Sequence, residues 1–554
     1  MGIPHLMKYA ESLTKGFPLF SIADKYYTRS HKKTEIIVDG SGFMFQIISE
    51  CKNDLNELDK YIKGMADVLK LHHISLIFVF DGMTQVIKKA ESIERLKSQA
   101  RETRSFFDKP NSLSDLRVTI FSGFKRVLKH LLLKHGFECI RSVSEADPVI
   151  VRLSIEREAY AVVTSDSDFL VSNIRNLFTH ISFVKTMTRV ISRKNLDHSR
   201  VFFRGISIFD VANFLNICPE HIPMFCCVCG NDFTTAFART LRTKLGLPDE
   251  KNVIESVVKK FRRFDEDKDV LGMISERLNE NTLEGLRRAL VQTERMLECN
   301  DKYEQEERER IPLKKEKFPN CAYSMSIILG AFSVSVRPSS KCDPKEDSAA
   351  CVCRNIRKAI YETFLPVGTV VEEYYDTKKN DLNAPFKVKT AKKMENITLN
   401  EYLKEFGFKE EEVGFVNKSF EKGVDLWKII FFIAVKYIEI NGKPKDFAFL
   451  VAEWYQLCLT YNKMKQVLYV KGTDDHRTPL SLFSFFHEVV YELMEVVIDN
   501  CELKEDFIEQ FFFPNVHQFT TDYIQKIGKV PEMVQMNVEK DPLFGEMLGH
   551  VDIF

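Results

Sequence analysis

Short apolar runs that end on an acidic residue recur through the first part of the chain: Ile36-Ile37-Val38 before Asp39, Ile74 to Phe80 before Asp81, and Ala159 to Thr164 before Asp166. Their length and composition predict strands. Between them lie segments of helical length, Leu55 to Leu71, Thr84 to Phe107, Asp115 to His135 and Pro148 to Arg157. Strands alternating with helices predict an α/β fold, a doubly wound parallel sheet with flanking helices, whose ligands sit at the carboxyl ends of the strands. The acids fall at those ends. From about Lys251 onward the pattern changes to long charged and apolar helical periodicities, which predicts a mainly α-helical C-terminal region. Residues 300–319 and 337–347 are polar and turn-rich and read as linkers or exposed loops. The expected division is 1–245 for the α/β domain, 246–320 for a helical extension and charged linker, and 321–554 for a mainly helical domain.

Composition narrows the class. At 554 residues and 44% hydrophobic, the chain is long enough for more than one core. Lys plus Arg equal Asp plus Glu at 79 each, so there is no global positive field and any phosphate-binding surface must be local. Thirteen cysteines occur with no basic-then-apolar N-terminal segment, which points to free thiols in a reducing compartment, cytoplasmic or nuclear. The most apolar stretches, residues 429–440 and 480–498, are too short or carry internal His and Glu, so they read as buried helices and no membrane partner is expected. Leu6 occupies the position where a myristoylation signal needs Ser or Thr.

Seven carboxylates carry the candidate chemistry. Asp39 and Asp81 follow strands, Glu145 and Asp147 stand at a helix start, Asp166 and Asp168 follow another strand, and Asp232 closes the triplet Gly230-Asn231-Asp232. Taken singly, each has a plain reading as a helix cap or turn residue. Together they form a different pattern. Hydrolysis of a phosphodiester builds negative charge that two divalent cations can clamp, and Mg²⁺ or Mn²⁺ prefers hard oxygen ligands. Without cations, so many carboxylates facing one cleft would repel one another.

These residues resemble a known family. Met1-Gly2-Ile3-Pro4-His5-Leu6 looks like the opening of flap endonucleases, XPG and their relatives. Val38-Asp39-Gly40, Phe80-Asp81-Gly82, Ser144-Glu145-Ala146-Asp147, Thr164-Ser165-Asp166-Ser167-Asp168 and Gly230-Asn231-Asp232-Phe233 look like that family's successive metal-binding motifs, in order, over about residues 1–240. The resemblance implies a PIN-like fold and a metal-dependent nuclease or hydrolase of the XPG and FEN-like type. Asp147 would bridge two Mg²⁺ or Mn²⁺ ions, with Asp39, Asp81 and Glu145 on one side and Asp166, Asp168 and Asp232 on the other. It also implies that Lys88 and Arg95, seven and fourteen residues after Asp81, contact the scissile phosphate beside the catalytic acids Asp166 and Asp168. Gly2, Lys89, Arg101 and Arg104 join them as candidate nucleic-acid contacts; the alternative for that helix is a solvated amphipathic surface. The phrase AVVTSDSDFLV is most similar to the Asteroid branch, as is the stretch Asn355 to Tyr361 followed by Val371-Glu372-Glu373-Tyr374.

The chain departs from the family after Asp232, where Phe233-Thr234-Thr235-Ala236-Phe237 lacks the glycine-rich turn that grips duplex DNA. DNA or RNA, single-stranded or branched, is the expected substrate. The rival is a non-cleaving PIN-like scaffold, active in post-transcriptional regulation or signalling, that binds RNA or protein. A protein partner for the helical C-terminal region is also expected. Cys226, Cys227 and Cys229 near His221 have poor zinc spacing in an apolar segment and read as a buried helix. Lys378, Lys379, Lys387, Lys389, Lys392 and Lys393 form a basic stretch that reads as an exposed loop before it reads as an RNA surface. Phenylalanine runs at 431–432, 483–486 and 511–513 read as core.

Overall fold

The computed structural model describes residues 3, 5–51, 55–82, 93–95, 97–98, 100–101, 124–142, 145–193, 196–231, 233–234, 237–247, 253–266, 268–298, 334–336, 349–365, 367–374, 386–392, 398–460, 482–483, 485–493, 519, 522 and 525–553. They group into two compact units. The first takes Met1–Glu50, Asp59–Lys88 and Leu131–Arg310, and the second takes Cys51–Leu58, Lys89–His130 and Ile311–Phe554.

The first unit is built on a sheet of seven described strands: β1 (Lys15–Phe17), β2 (Thr34–Asp39), β3 (Ile74–Phe80), β4 (Glu138–Arg141), β5 (Ala161–Val163), β6 (Asn176–Phe178) and β7 (Phe203–Ser207), in the order β1-β7-β6-β5-β2-β3-β4. β2 pairs in parallel with both β3 and β5, and the parallel pairing continues to β4 on one side and β6 on the other. The chain therefore winds outward from β2 through β3 and β4, then returns to the other flank of β2 as β5. That reversal is a topological switch point, where neighbouring loops part and leave a crevice at the carboxyl ends. The sheet is not wholly parallel, however. β7 runs antiparallel to β6, and β1 antiparallel to β7. Ten residues separate Ser192, the end of the helix after β6, from β7. A chain of that length can span roughly 33 Å, more than the length of the helix it follows, so it can return to the carboxyl end before β7 begins.

Alternation along each strand sends side chains to opposite faces. On one face Ile37, Ile77, Val79, Val162, Leu177 and Ile206 pack with the helices Ala146–Glu156, Ile208–Leu215, Ile222–Cys229, Val253–Phe261 and Glu280–Glu298 in one core. On the other face Phe78 meets Phe43 of the helix Gly40–Glu50 edge-on at 5.1 Å, and Phe203 meets Phe183 of the helix His180–Ser192 at 5.5 Å. Gly205 in β7 admits no side chain, since a Cβ there would lie 2.3 Å from the Phe178 ring and 2.7 Å from the Leu177 carbonyl oxygen. Gly205→Ala is accordingly expected to cost about 1–3 kcal/mol in chemical denaturation, as overpacking does in tight cores. An unchanged midpoint would refute this account of the packing.

The second unit is mainly helical, with Leu399–Glu405, Glu410–Glu421, Leu426–Asn441, Phe447–Thr460, Val530–Lys540 and Pro542–Leu548 among its described helices. Phe431, Phe432, Phe483 and Phe486 are buried in it, as their spacing suggests, while residues 511–513 lie outside the described residues. It also holds a small sheet, β8 (Val334–Val336), β9 (Val370–Tyr374) and β10 (Phe386–Lys389), in the order β10-β9-β8. Lys387 and Lys389 therefore stand on a strand, not in a loop, because β10 pairs with β9 in antiparallel register. Lys392 is paired with Glu405, and Lys378, Lys379 and Lys393 lie outside the described residues.

The stretch around Arg357 is interior. Arg357 is fully buried on the helix Arg354–Phe364 and donates from Nε to Glu373 Oε1 at 2.7 Å and from a terminal nitrogen to Glu373 Oε2 at 2.9 Å. It also donates to the Ala350 carbonyl at 2.6 Å, and Tyr361 donates its hydroxyl to Glu373 Oε1 at 2.6 Å. This fork joins helix to β9. Among the described residues no helix is long and apolar enough to cross a membrane.

Candidate metal-binding site

The site is built at the switch point between β2 and β5. Asp39 ends β2, its side chain 15% exposed. Its Oδ1 accepts the Gly42 N–H at 3.0 Å, and its Oδ2 accepts the Thr164 hydroxyl at 3.1 Å. The same Thr164 oxygen accepts the Asp166 N–H at 3.1 Å. One threonine thus ties the carboxylate at the end of β2 to the backbone of the loop after β5.

Asp81 follows β3 and acts across the fold. Its Oδ2 accepts the Ser41 hydroxyl at 2.6 Å, and its Oδ1 accepts the Ala146 N–H at 2.9 Å. The latter contact caps the helix Ala146–Glu156 from outside, because its own cap residue Glu145 makes no side-chain cap bond. Glu145 and Asp147, half-buried on either side of Ala146, are carried to Asp81 by that bond. Asp166 caps the short turn Ser167–Val171, accepting the Asp168 N–H on Oδ1 at 3.1 Å. Asp168 Oδ1 accepts the Ile3 N–H at 2.8 Å, and Ser167 donates its hydroxyl to the Ile3 carbonyl at 2.8 Å. The amino-terminal segment is clamped against the acids in this way.

Electrostatics follow from crowding. Burial pushes the Asp39 carboxyl up from 3.8 to about 6, and the charges of Asp81 and Asp166 add to the rise, against the hydrogen bonds from Gly42 and Thr164. A carboxyl held that high costs about 3 kcal/mol when ionised at neutral pH. The sign follows from linkage: with the folded value above the unfolded one, the contribution to stability is present below 3.8 and is lost as pH rises through about 6. Asp39→Asn is therefore expected to stabilise chelator-treated protein at pH 7 by up to about 3 kcal/mol and to change little at pH 3.5. Melting curves across that range check it, and a gain that is the same at both pH values would refute the crowding argument.

His180 completes the frame. It is 2% exposed at the start of the helix His180–Ser192, with Nε2 3.0 Å from the Asp39 carbonyl oxygen and Nδ1 3.1 Å from the Ser165 hydroxyl. Burial pushes its pKa down to about 4, offset in part by the main-chain carbonyls of Asp39 and Val163, so the ring is neutral at physiological pH.

The structure thus brings Asp39, Asp81, Glu145, Asp147, Asp166 and Asp168 to one end of the sheet. Asp232 lies outside the described residues, but its neighbours do not: Gly230 ends the helix Ile222–Cys229 with φ +97, and Asn231 is buried, donating to Thr293 Oγ1 at 2.8 Å. Gly2, Lys88, Lys89 and Arg104 also lie outside the described residues. Arg95 and Arg101 are exposed helical residues of the second unit. Cys226, Cys227 and Cys229 are buried and free, and burial pushes the Cys227 thiol up to about 12, so they offer no thiolates to zinc. His221 donates Nε2–H to the Asp265 carbonyl at 2.7 Å. The roles of Thr164, Ser41, His180 and the Ile3 backbone were not visible beforehand. Thr164 carried a signal as the residue opening the Thr164 to Asp168 phrase, and Ile3 as part of the Met1 to Leu6 opening.

Among the described residues no three His, Cys, Asp or Glu side chains converge closely enough to enclose an ion unaided. The donor set is entirely hard oxygen, and the elevated carboxyl of Asp39 marks a place where positive charge would be welcomed. The residues fit a hydrated divalent cation.

No family model matches the chain. Over 196 residues it is 26% identical to flap endonuclease 1 of Trypanosoma cruzi (strain CL Brener), which covers 33% of this chain and 49% of that protein. Over 182 residues it is 24% identical to the human constitutive coactivator of peroxisome proliferator-activated receptor gamma, covering 31% of this chain and 18% of the coactivator. The chain thus spans about half of the first relative and less than a fifth of the second. Among solved structures, human GEN1 with Holliday junction DNA shares 14% identity over 54% of this chain and 67% of its own, at a TM-score of 0.32, too low to carry an argument. About a third of the chain is thus similar in sequence to a flap endonuclease, and the first unit has a mostly parallel sheet between helices, the expected α/β architecture.

Proposed function

We propose that the first unit is a divalent-metal-dependent nuclease domain that hydrolyses phosphodiester bonds in DNA or RNA. One observation carries this reading: Asp39, Asp81 and Asp166 are held together at the switch point, close enough that two of them help to raise the carboxyl of the third to about 6. Such repulsion is a cost to the folded protein unless cations offset it.

In this reading Asp39, Asp81 and Glu145 would hold one cation, Asp166, Asp168 and Asp232 would hold a second, and Asp147 would serve both. When bound, a pair of Mg²⁺ or Mn²⁺ ions supplies Lewis-acid stabilisation of the charge growing on the phosphoryl oxygens and makes water a usable nucleophile. The chain's own donors orient the acids. Thr164 and Gly42 fix both oxygens of Asp39, and Ser41 and the Ala146 N–H fix both oxygens of Asp81, so neither carboxylate is free to rotate. Lys88 would neutralise the phosphate, and Gly2 would contact the strand. The similarity to a flap endonuclease supports nucleic acid as the partner, and the missing glycine-rich turn favours single-stranded or branched substrates over long duplex.

The similarity to a coactivator over a comparable stretch supports the second reading, a scaffold that binds without cutting. Titration calorimetry of the purified chain with Mn²⁺ separates them. Saturable uptake at neutral pH, together with Mn²⁺-dependent cleavage of single-stranded or branched oligonucleotides, is the expected result. No uptake would leave the scaffold as the reading that survives.

A further inference from the structure

The hydrogen-bonded ladder between β2 and β5 stops short of the acids. Its register runs Ile36 with Ala161, Ile37 with Val162 and Val38 with Val163, and then the two strands part. Asp39 and the loop from Thr164 to Asp168 lie beyond the last rung, so main-chain pairing no longer sets their spacing. His180 stands in the gap. It comes from a third element, the helix that follows β6, and it touches both sides of the split.

The tautomer follows from the partners. A carbonyl oxygen can only accept, so His180 Nε2 carries the hydrogen and donates to Asp39 at 3.0 Å. Nδ1 of the neutral ring then has a lone pair, and the Ser165 hydroxyl donates to it at 3.1 Å. The ring also sets the sequence opposite it. A Cβ on Gly42 would lie 2.2 Å from His180 Cε1 and 2.8 Å from Asp39 Oδ2, so only glycine lets the helix Gly40–Glu50 start against this imidazole. Three elements are thus shaped around one buried ring.

We propose that His180 is a positioning residue for the metal site, a neutral bridge that holds the ends of β2 and β5 at the one spacing at which Asp39 and Asp166 serve their cations together. It touches neither substrate nor ion. It acts through the Asp39 backbone on one side and through Ser165, next to Asp166, on the other, as outer-shell partners do for metal ligands. The inference rests on the metal-dependent reading above.

The test uses the full chain, with Mn²⁺ as the probe in titration calorimetry. His180→Phe keeps a ring but neither hydrogen bond, and Ser165→Ala removes only the donor to Nδ1. Ser165 is exposed, so that variant is expected to fold with an unchanged melting temperature. His180→Phe is expected to weaken Mn²⁺ binding about 10–100-fold and Ser165→Ala about tenfold. The double variant should bind no more weakly than His180→Phe alone, since Ser165 acts through the ring. A residue that only filled space would shift melting and leave Mn²⁺ affinity alone. Affinities within about twofold of wild type in both single variants, or losses that multiply in the double, overturn the bridge while leaving the metal site standing. A wild-type chain that takes up no Mn²⁺ removes the metal-dependent reading and the bridge with it.

Discussion

Asp166→Asn is expected to lower the rate of nucleic-acid cleavage by about 10³-fold with little change in melting temperature. The substitution separates charge from structure. Asn keeps an oxygen that can accept the Asp168 N–H, so the turn Ser167–Val171 retains its cap. It removes one of the two negative charges that raise Asp39, so the metal-free protein should be no less stable at pH 7. A cation ligand contributes several kcal/mol of transition-state stabilisation, and each 1.36 kcal/mol is worth a factor of ten. Single-turnover cleavage with saturating Mn²⁺ measures the loss, and calorimetry measures the accompanying fall in Mn²⁺ affinity. Cleavage at the wild-type rate would remove Asp166 from the site, whatever happened to stability.

The second large effect lies in the other unit. Arg357→Ala is expected to destabilise it by about 3–5 kcal/mol, because Glu373 would be left buried with its charge uncompensated. Glu373→Ala should cost less, since Arg357 keeps the buried carboxylate of Glu492 at 3.6 Å. Arg357→Lys should rescue little, since an ammonium cannot donate the two parallel bonds of the guanidinium fork. Replacing Arg357 and Glu373 together, as Arg357→Met with Glu373→Leu, should recover only part of that loss, because the fully buried Glu492, 3.6 Å from Arg357, would still lose its cation. Denaturant unfolding followed by a probe in the second unit is the appropriate measurement, because a chain of two units need not unfold in one step. If Arg357→Ala shifted that transition by less than about 1 kcal/mol, the pair would not be holding helix Arg354–Phe364 to β9. The stretch that resembles a family signature is, on this account, a lock inside the second unit and not a surface for ligands.

Much of the first unit was legible along the chain, for a physical reason. Strands β2, β3 and β5 each carry a run of at least three consecutive apolar residues because both of their faces are covered, and a run of that kind followed by an acid needs no tertiary information to be noticed. The helices Leu55–Leu71 and Ala146–Glu156 were likewise legible from length and periodicity. Strands β1, β4, β6 and β7 were not. They are three to five residues long, too short for a period to show, and the antiparallel edge depends on how a connection returns in space. The small sheet of the second unit escaped for the same reason, and with it the strand position of Lys387 and Lys389.

For the site, sequence by itself determined which residue types stand at the ends of which strands, since acid, strand end and order are all local properties. What holds those acids was decided only in three dimensions. Asp81 caps a helix 65 positions away, Thr164 reaches Asp39 across 125, and His180 reaches it across 141. No local pattern encodes such pairings, because a hydrogen bond between distant segments exists only once the sheet has set their register. The same holds for Arg357 and Glu373. Each reads as an ordinary surface charge until burial of both sets them against one another.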